Sequence, residues 1–201
     1  MIIHYLMTGL ALIFVIVSHE LAHGYVAYLF GDNTAKNRGR LSLNPLKHLD
    51  PIGTLFLLVF KFGWAKPVPI DERNFSSRRP GLFFVSIAGV TVNFITAVVS
   101  IFILLQFHNN LGVFSTFFEL LAIYGIFFMV FNLIPIPPLD GSKVLASILP
   151  IGFQAFIYQF ERYFTPILIL FIMLNRQTGI ISRISSSIFY FLVNNIAKII
   201  M

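Results

Sequence analysis

The stretch VIVSHELAHGYVAYLF, residues 15–30, sets two histidines and a glutamate inside an otherwise apolar helix. Ionisable side chains are expensive at membrane depth and normally stand there with partners. Around this stretch the chain reads as lipid-embedded. From Ile2 to Phe30 it is nearly all apolar, long enough to cross about 30 Å of hydrocarbon as helix. Hydrophobic residues make up 57% of the 201 positions and charged residues 11%. Soluble domains carry roughly one quarter charged residues. Mean hydropathy is +0.86. Apolar runs recur to the C-terminus, so the predicted fold class is an all-α polytopic membrane protein. Several spans then share a single domain over residues 1–201, with no separate soluble domain expected.

The opening helix lacks a basic n-region and a small-residue cleavage site, and is therefore expected to be a retained span and not a secretory signal. There is no cysteine, hence no disulfide framework and no thiolate metal site. The formal net charge of +6 follows the positive-inside rule and does not suggest nucleic acid, because the cations lie between spans. Most of them fall in residues 31–80, including Lys36, Arg38, Arg40, Lys47, Arg73, Arg78 and Arg79. That loop is predicted to face the cytoplasm of a multi-pass cell-membrane protein.

Within the loop, GRLSLNP (residues 39–45) alternates like a short strand. Asp50 to Phe60 is too short to span and suits a re-entrant or interfacial helix. GWAKPVPI (63–70) carries Pro67 and Pro69 and predicts an extended edge segment or a loop near the membrane surface. Further core spans are predicted over 81–107 and 113–134, with C-terminal helices over 151–174 and 178–200. NLIPIPPLDG (132–141) breaks the third span with three prolines and a glycine. Backbone freed from helix at membrane depth is tolerated only where protein or a water-filled cavity satisfies it, so this break marks an internal site.

His19, Glu20 and His23 spell H-E-x-x-H. Histidines four apart share one helical face and can reach one metal ion, while Glu20 flanks it as a general base. The plainer alternative is a hydrogen-bonded histidine pair with a buried acid. Two imidazoles leave a catalytic zinc one protein ligand short. Outside the 31–80 loop the remaining acids are Glu119, Asp140 and Glu161. Glu161 can pair with Arg162, and Asp140 ends the proline-broken segment. Asp140 is therefore the expected third ligand, its alternative being an N-cap of a helix starting near Ser142. Trp64 and Tyr25 read as packing or interface anchors.

At these residues the sequence resembles the site-2 protease family of intramembrane zinc metalloproteases. The likeness rests on HELAH (19–23), GVTVN (89–93) and NLIPIPPLDG (132–141), with GRLSLNPLKHLDPIGT and GWAKPVPI between them. It implies a three-helix core holding Zn2+ through His19, His23 and Asp140, with Glu20 as base. It also implies cleavage of a transmembrane or membrane-anchored protein or peptide substrate within the lipid bilayer, usually in regulated intramembrane proteolysis. Asn93 and Asn132 then become candidates for holding the substrate backbone or polarising its carbonyl. Interhelical hydrogen bonding is the other reading for both. His48 is a further substrate-side candidate, and PVPI a candidate edge for strand addition. Many relatives carry PDZ or CBS domains, for which these 201 residues leave no room. A metal or proton transporter using the same cluster, or a relative that binds clients without cutting them, are the competing functions.

Overall fold

The computed structural model describes residues 1–51, 53 and 65–200. Its helices are α1 (Ile2–Leu29), α2 (Thr34–Asn37), α3 (Arg78–Leu111), α4 (Phe114–Asn132), α5 (Asp140–Ile148), α6 (Ile151–Thr178) and α7 (Ile180–Ile200). Four stretches among the described residues are long and apolar enough to cross a membrane: α1, Arg78–Phe107 of α3, α4 and α7. α6 contributes only a shorter apolar piece, Pro166–Asn175. The fold is an all-α polytopic membrane protein, as composition and span lengths predict.

α3 is the central element, packed against α1, α4, α5 and α7. Without a hydrophobic drive between helices in lipid, close backbone approach through small residues supplies the packing. Ala97 on α3 and Ala122 on α4 are fully buried between the two helices, beside Ile101 and Ile126. Ile188, Leu192 and Ile196 of α7 cover this cluster from one side. On the other side, Ala11 and Val15 of α1 pack with Leu120 and Leu121 of α4. Large apolar side chains such as Phe102 and Ile95 point outward, where a bilayer would solvate them.

α1 ends where Gly31 takes φ 102°, backbone that glycine enters without penalty. Asp32 follows and ties the loop together. Its Oδ1 accepts from the Thr34 amide, the Thr34 hydroxyl and Asn74 Nδ2, and its Oδ2 accepts from the Asp71 amide at 2.8 Å. The strand expected over residues 39–45 does not form. Asn44 instead caps a 3-10 turn at Pro45–Lys47 by accepting from the Leu46 amide. Proline and the Asn side chain together favour a turn over a ladder here. The described residues of the 63–70 segment, 65–70, make a single antiparallel bridge, Leu49 to Ala65, and otherwise run as a loop. The re-entrant helix expected over Asp50–Phe60 lies, beyond Asp50, Pro51 and Gly53, outside the described residues. So do Trp64 and the side chains of Glu161 and Arg162.

α4 stops at Asn132, and residues 133–139 fold back without helix before α5 begins. A Cβ at Gly141 would stand 2.3 Å from the Leu133 carbonyl oxygen, so this turn closes only around glycine. Asp140 is the first residue of α5 and Leu139 occupies the cap position. The capping alternative for Asp140 therefore fails: its carboxylate is turned to the imidazoles of α1.

Candidate metal centre

α1 presents His19 and His23 one turn apart on the face that meets α3 and α5. Their ring centroids are 4.6 Å apart. The return of the chain through the proline-broken segment brings Asp140, 117 residues later, to the same point. His19 Nε2 and His23 Nε2 stand 3.0 Å apart, and Asp140 Oδ2 lies 3.1 Å and 3.0 Å from them. All three side chains are buried or nearly so. α3 reaches this cluster through Gly89, where a Cβ would fall 2.5 Å from His23 Nε2 and from His19 Cε1.

The second ring nitrogens decide what the cluster can hold. His23 Nδ1–H donates to the Val85 carbonyl at 2.6 Å, which leaves its Nε2 a bare lone pair. That lone pair faces the Asp140 carboxylate at 3.0 Å, acceptor against acceptor. His19 Nδ1 lies 3.1 Å from Asn93 Nδ2, while Asn93 Oδ1 is buried with no hydrogen-bond partner among the described residues. The two ends of an amide are nearly equal in size, so either can face the ring. Turning this amide over gives the orphaned oxygen the His19 Nδ1–H and leaves His19 Nε2 bare as well. Three lone-pair donors then converge on one point, and a cation satisfies all three where a proton satisfies one pair. Two imidazoles, one carboxylate and no thiolate form the donor set of a catalytic zinc, with Val85 and Asn93 fixing ring orientation from behind.

Residues 106–175 match the model of peptidase family M50. Over 190 residues, covering 85% of this chain and 87% of the relative, the sequence is 43% identical to the Bacillus subtilis protein named "Putative zinc metalloprotease YwhC". The chain belongs to peptidase family M50, the site-2 proteases. It is also 32% identical over 134 residues to "Putative zinc metalloprotease Rip2" of Mycolicibacterium smegmatis and of Mycobacterium tuberculosis. That alignment covers 63% of this chain and 51% of either Rip2. No solved structure matches. As an M50 metalloprotease the protein takes zinc as its cofactor, and the His19, His23 and Asp140 donor set fits that ion.

Two cavities meet at this M50 centre. A polar chamber of about 200 Å³ borders His19, Glu20, His23 and Asp140, with Glu72 and Lys143 also on its wall. A larger space of about 500 Å³ runs from Gly9 along α1 and against Phe128 and Phe131 of α4, and is mostly apolar. His19, Glu20 and Asn132 line both. Glu20 is not one of the three converging donors; its Oε2 accepts from the Val68 amide at 2.7 Å. Asn132 spends one N–H on the Phe128 carbonyl at 3.0 Å and lines both cavities. Asn93, by contrast, is fully buried against His19 and lines neither cavity, so its place is behind the imidazole. His48 is 1% exposed beside the apolar space, and its Nε2–H donates to the Ser42 carbonyl at 2.7 Å. Sequence reasoning missed Val85 and Val68, whose contributions are a carbonyl and an amide that no side chain betrays.

Proposed function

We propose that this protein is an intramembrane zinc endopeptidase in which His19, His23 and Asp140 hold the ion and Glu20 is the general base. Its substrates are membrane-spanning or membrane-anchored proteins, cut in the course of regulated intramembrane proteolysis. The observation that carries this reading is the position of Glu20: beside three converging donors, at the junction of a polar chamber and an apolar space.

Bound zinc supplies Lewis acidity, polarising a carbonyl and lowering the pKa of water toward about 7. Glu20 takes the proton of the attacking water and returns it to the leaving amine, a role typically worth about 100-fold to 10,000-fold in rate. The polar chamber gives water its path to Glu20 past Lys143 and Glu72. The apolar space takes the substrate chain, which must be locally unwound because helical amides are closed in hydrogen bonds. Asn132 holds that unwound backbone and His48 shapes the wall beside it, a reading supported by both lining the apolar space.

The basic residues of the 31–80 region put it on the cytoplasmic side of the cell membrane. Residue 19 is ten residues from the end of α1, so the chemistry sits about 15 Å along the helix from that face. The test pairs zinc quantification with cleavage of a transmembrane reporter by wild type and Glu20→Gln. One zinc per chain in both, with proteolysis in the wild type alone, is the expected result. Ion flux in proteoliposomes without cleavage by the wild type would replace this reading with a transporter.

A further inference from the structure

We propose that residues 65–71 form a strap whose Val68 amide seats the Glu20 carboxylate, and that Gly24 and Arg40 are positioning residues for that base. The proposal rests on the role given to Glu20 above.

Pro67 and Pro69 fix the strap in two ways. Their rings hold φ near about −65° and steer Lys66 and Val68, each preceding a proline, to extended backbone. They also remove two amide donors, so Val68 offers the single N–H between Lys66 and Ile70. The Lys66 amide is already given to the His48 carbonyl at 2.8 Å. A slip of one residue would bring a proline nitrogen to Glu20, with no hydrogen to give. Register therefore matters, and three contacts hold it. Arg40 Nη2 donates to the carbonyls of Lys66 and Pro67 at 2.8 Å and 3.2 Å. Asp32 holds the far end through the Asp71 amide. Gly24, one turn beyond Glu20 on α1, leaves room for the strap: a Cβ there would meet Val68 Cγ1 at 2.9 Å and Leu41 Cδ2 at 2.6 Å.

The consequence is chemical as well as mechanical. Only Oε2 of Glu20 receives the Val68 amide. Oε1 stays available to take a proton, and the carboxylate keeps one orientation toward the chamber. A plain loop anchor with no part in the reaction would leave kcat where it was.

Hydrogen exchange on the zinc-loaded full-length protein reads the contact itself, because a peptide over residues 66–70 carries few exchangeable amides. Val68 is expected to exchange about tenfold or more slowly in wild type than in Glu20→Ala; equal rates would overturn the proposal whether or not the protein cleaves the reporter. The split between kcat and KM reads the consequence. Val68→Pro, Gly24→Ala and Arg40→Ala are each expected to lower kcat about tenfold with KM little changed and zinc still at one per chain. Arg40→Lys, which can reach one carbonyl at a time, should recover part of the loss. A kcat unchanged, or a loss seen in KM alone, in every folded, zinc-loaded variant would overturn the positioning role even if exchange confirmed the contact.

Discussion

Gly89 matters for the side chain it lacks. Adding a methyl there puts carbon within 2.5 Å of both imidazoles, so Gly89→Ala must push α3 away from α1 or turn the rings out of convergence. We expect zinc affinity to fall by at least about 10-fold to 100-fold, the usual effect of disturbing an outer-shell contact, in competition with a chromophoric chelator. Asn93→Ala should weaken zinc by a similar factor, because it releases His19 Nδ1 without touching the other donors. Unchanged affinity in both variants would mean that the rings need no backing. At this scale the H-E-x-x-H pattern was legible because helical periodicity alone puts both histidines on one face. The role of Asn93 was not. An asparagine in an apolar helix can face a substrate or a neighbouring helix with equal chemical sense, and a partner 74 residues away decides.

Between helices, the Asp32 knot is the element that links the end of α1 to the strap. Burial by itself would raise the Asp32 carboxyl, but hydrogen bonds from Thr34, Asn74 and the Asp71 amide hold it below its ordinary 3.8. A depressed carboxylate contributes stability that is fully present above the ordinary value and lost as pH falls through the folded one. Detergent-solubilised wild type should therefore lose thermal stability on acidification below about pH 4. Asp32→Asn should show a flatter response there and a lower unfolding free energy at neutral pH, by roughly 1–3 kcal/mol. Its amide would set an N–H against one of the donors that Asp32 accepts. Parallel curves for the two proteins would remove Asp32 from the account. Turn residues announced that the 31–80 region is a connector, yet the alternation over 39–45 suggested a strand. Local polarity patterns do not reveal that Asn44 and Pro45 will spend the backbone on a turn.

Across the whole molecule, the long spans followed from hydropathy because a bilayer imposes length and apolarity on each helix separately. How they pack did not follow, since a helix apolar all round gives no sign of which stripe meets a neighbour. The burial pattern supplies that sign. Ile126 is fully buried where α3, α4 and α7 meet, so Ile126→Ala should destabilise by about 2–5 kcal/mol in detergent unfolding. Phe102, on the outward face of α3, should tolerate alanine with little change. Equal effects at the two positions would mean that α7 does not cover this core. Both proteins should keep their zinc, because neither residue touches the centre.

The central claim is that one zinc is held by two imidazoles of α1 and the carboxylate that opens α5. X-ray absorption of the zinc-loaded protein reads that shell directly. The account predicts one zinc per chain with two imidazole nitrogens and oxygen donors at about 2.0–2.2 Å, and loss of that shell in Asp140→Ala. A protein that takes up no zinc, or an unaltered zinc spectrum in a His19→Ala, His23→Ala double variant, would contradict it.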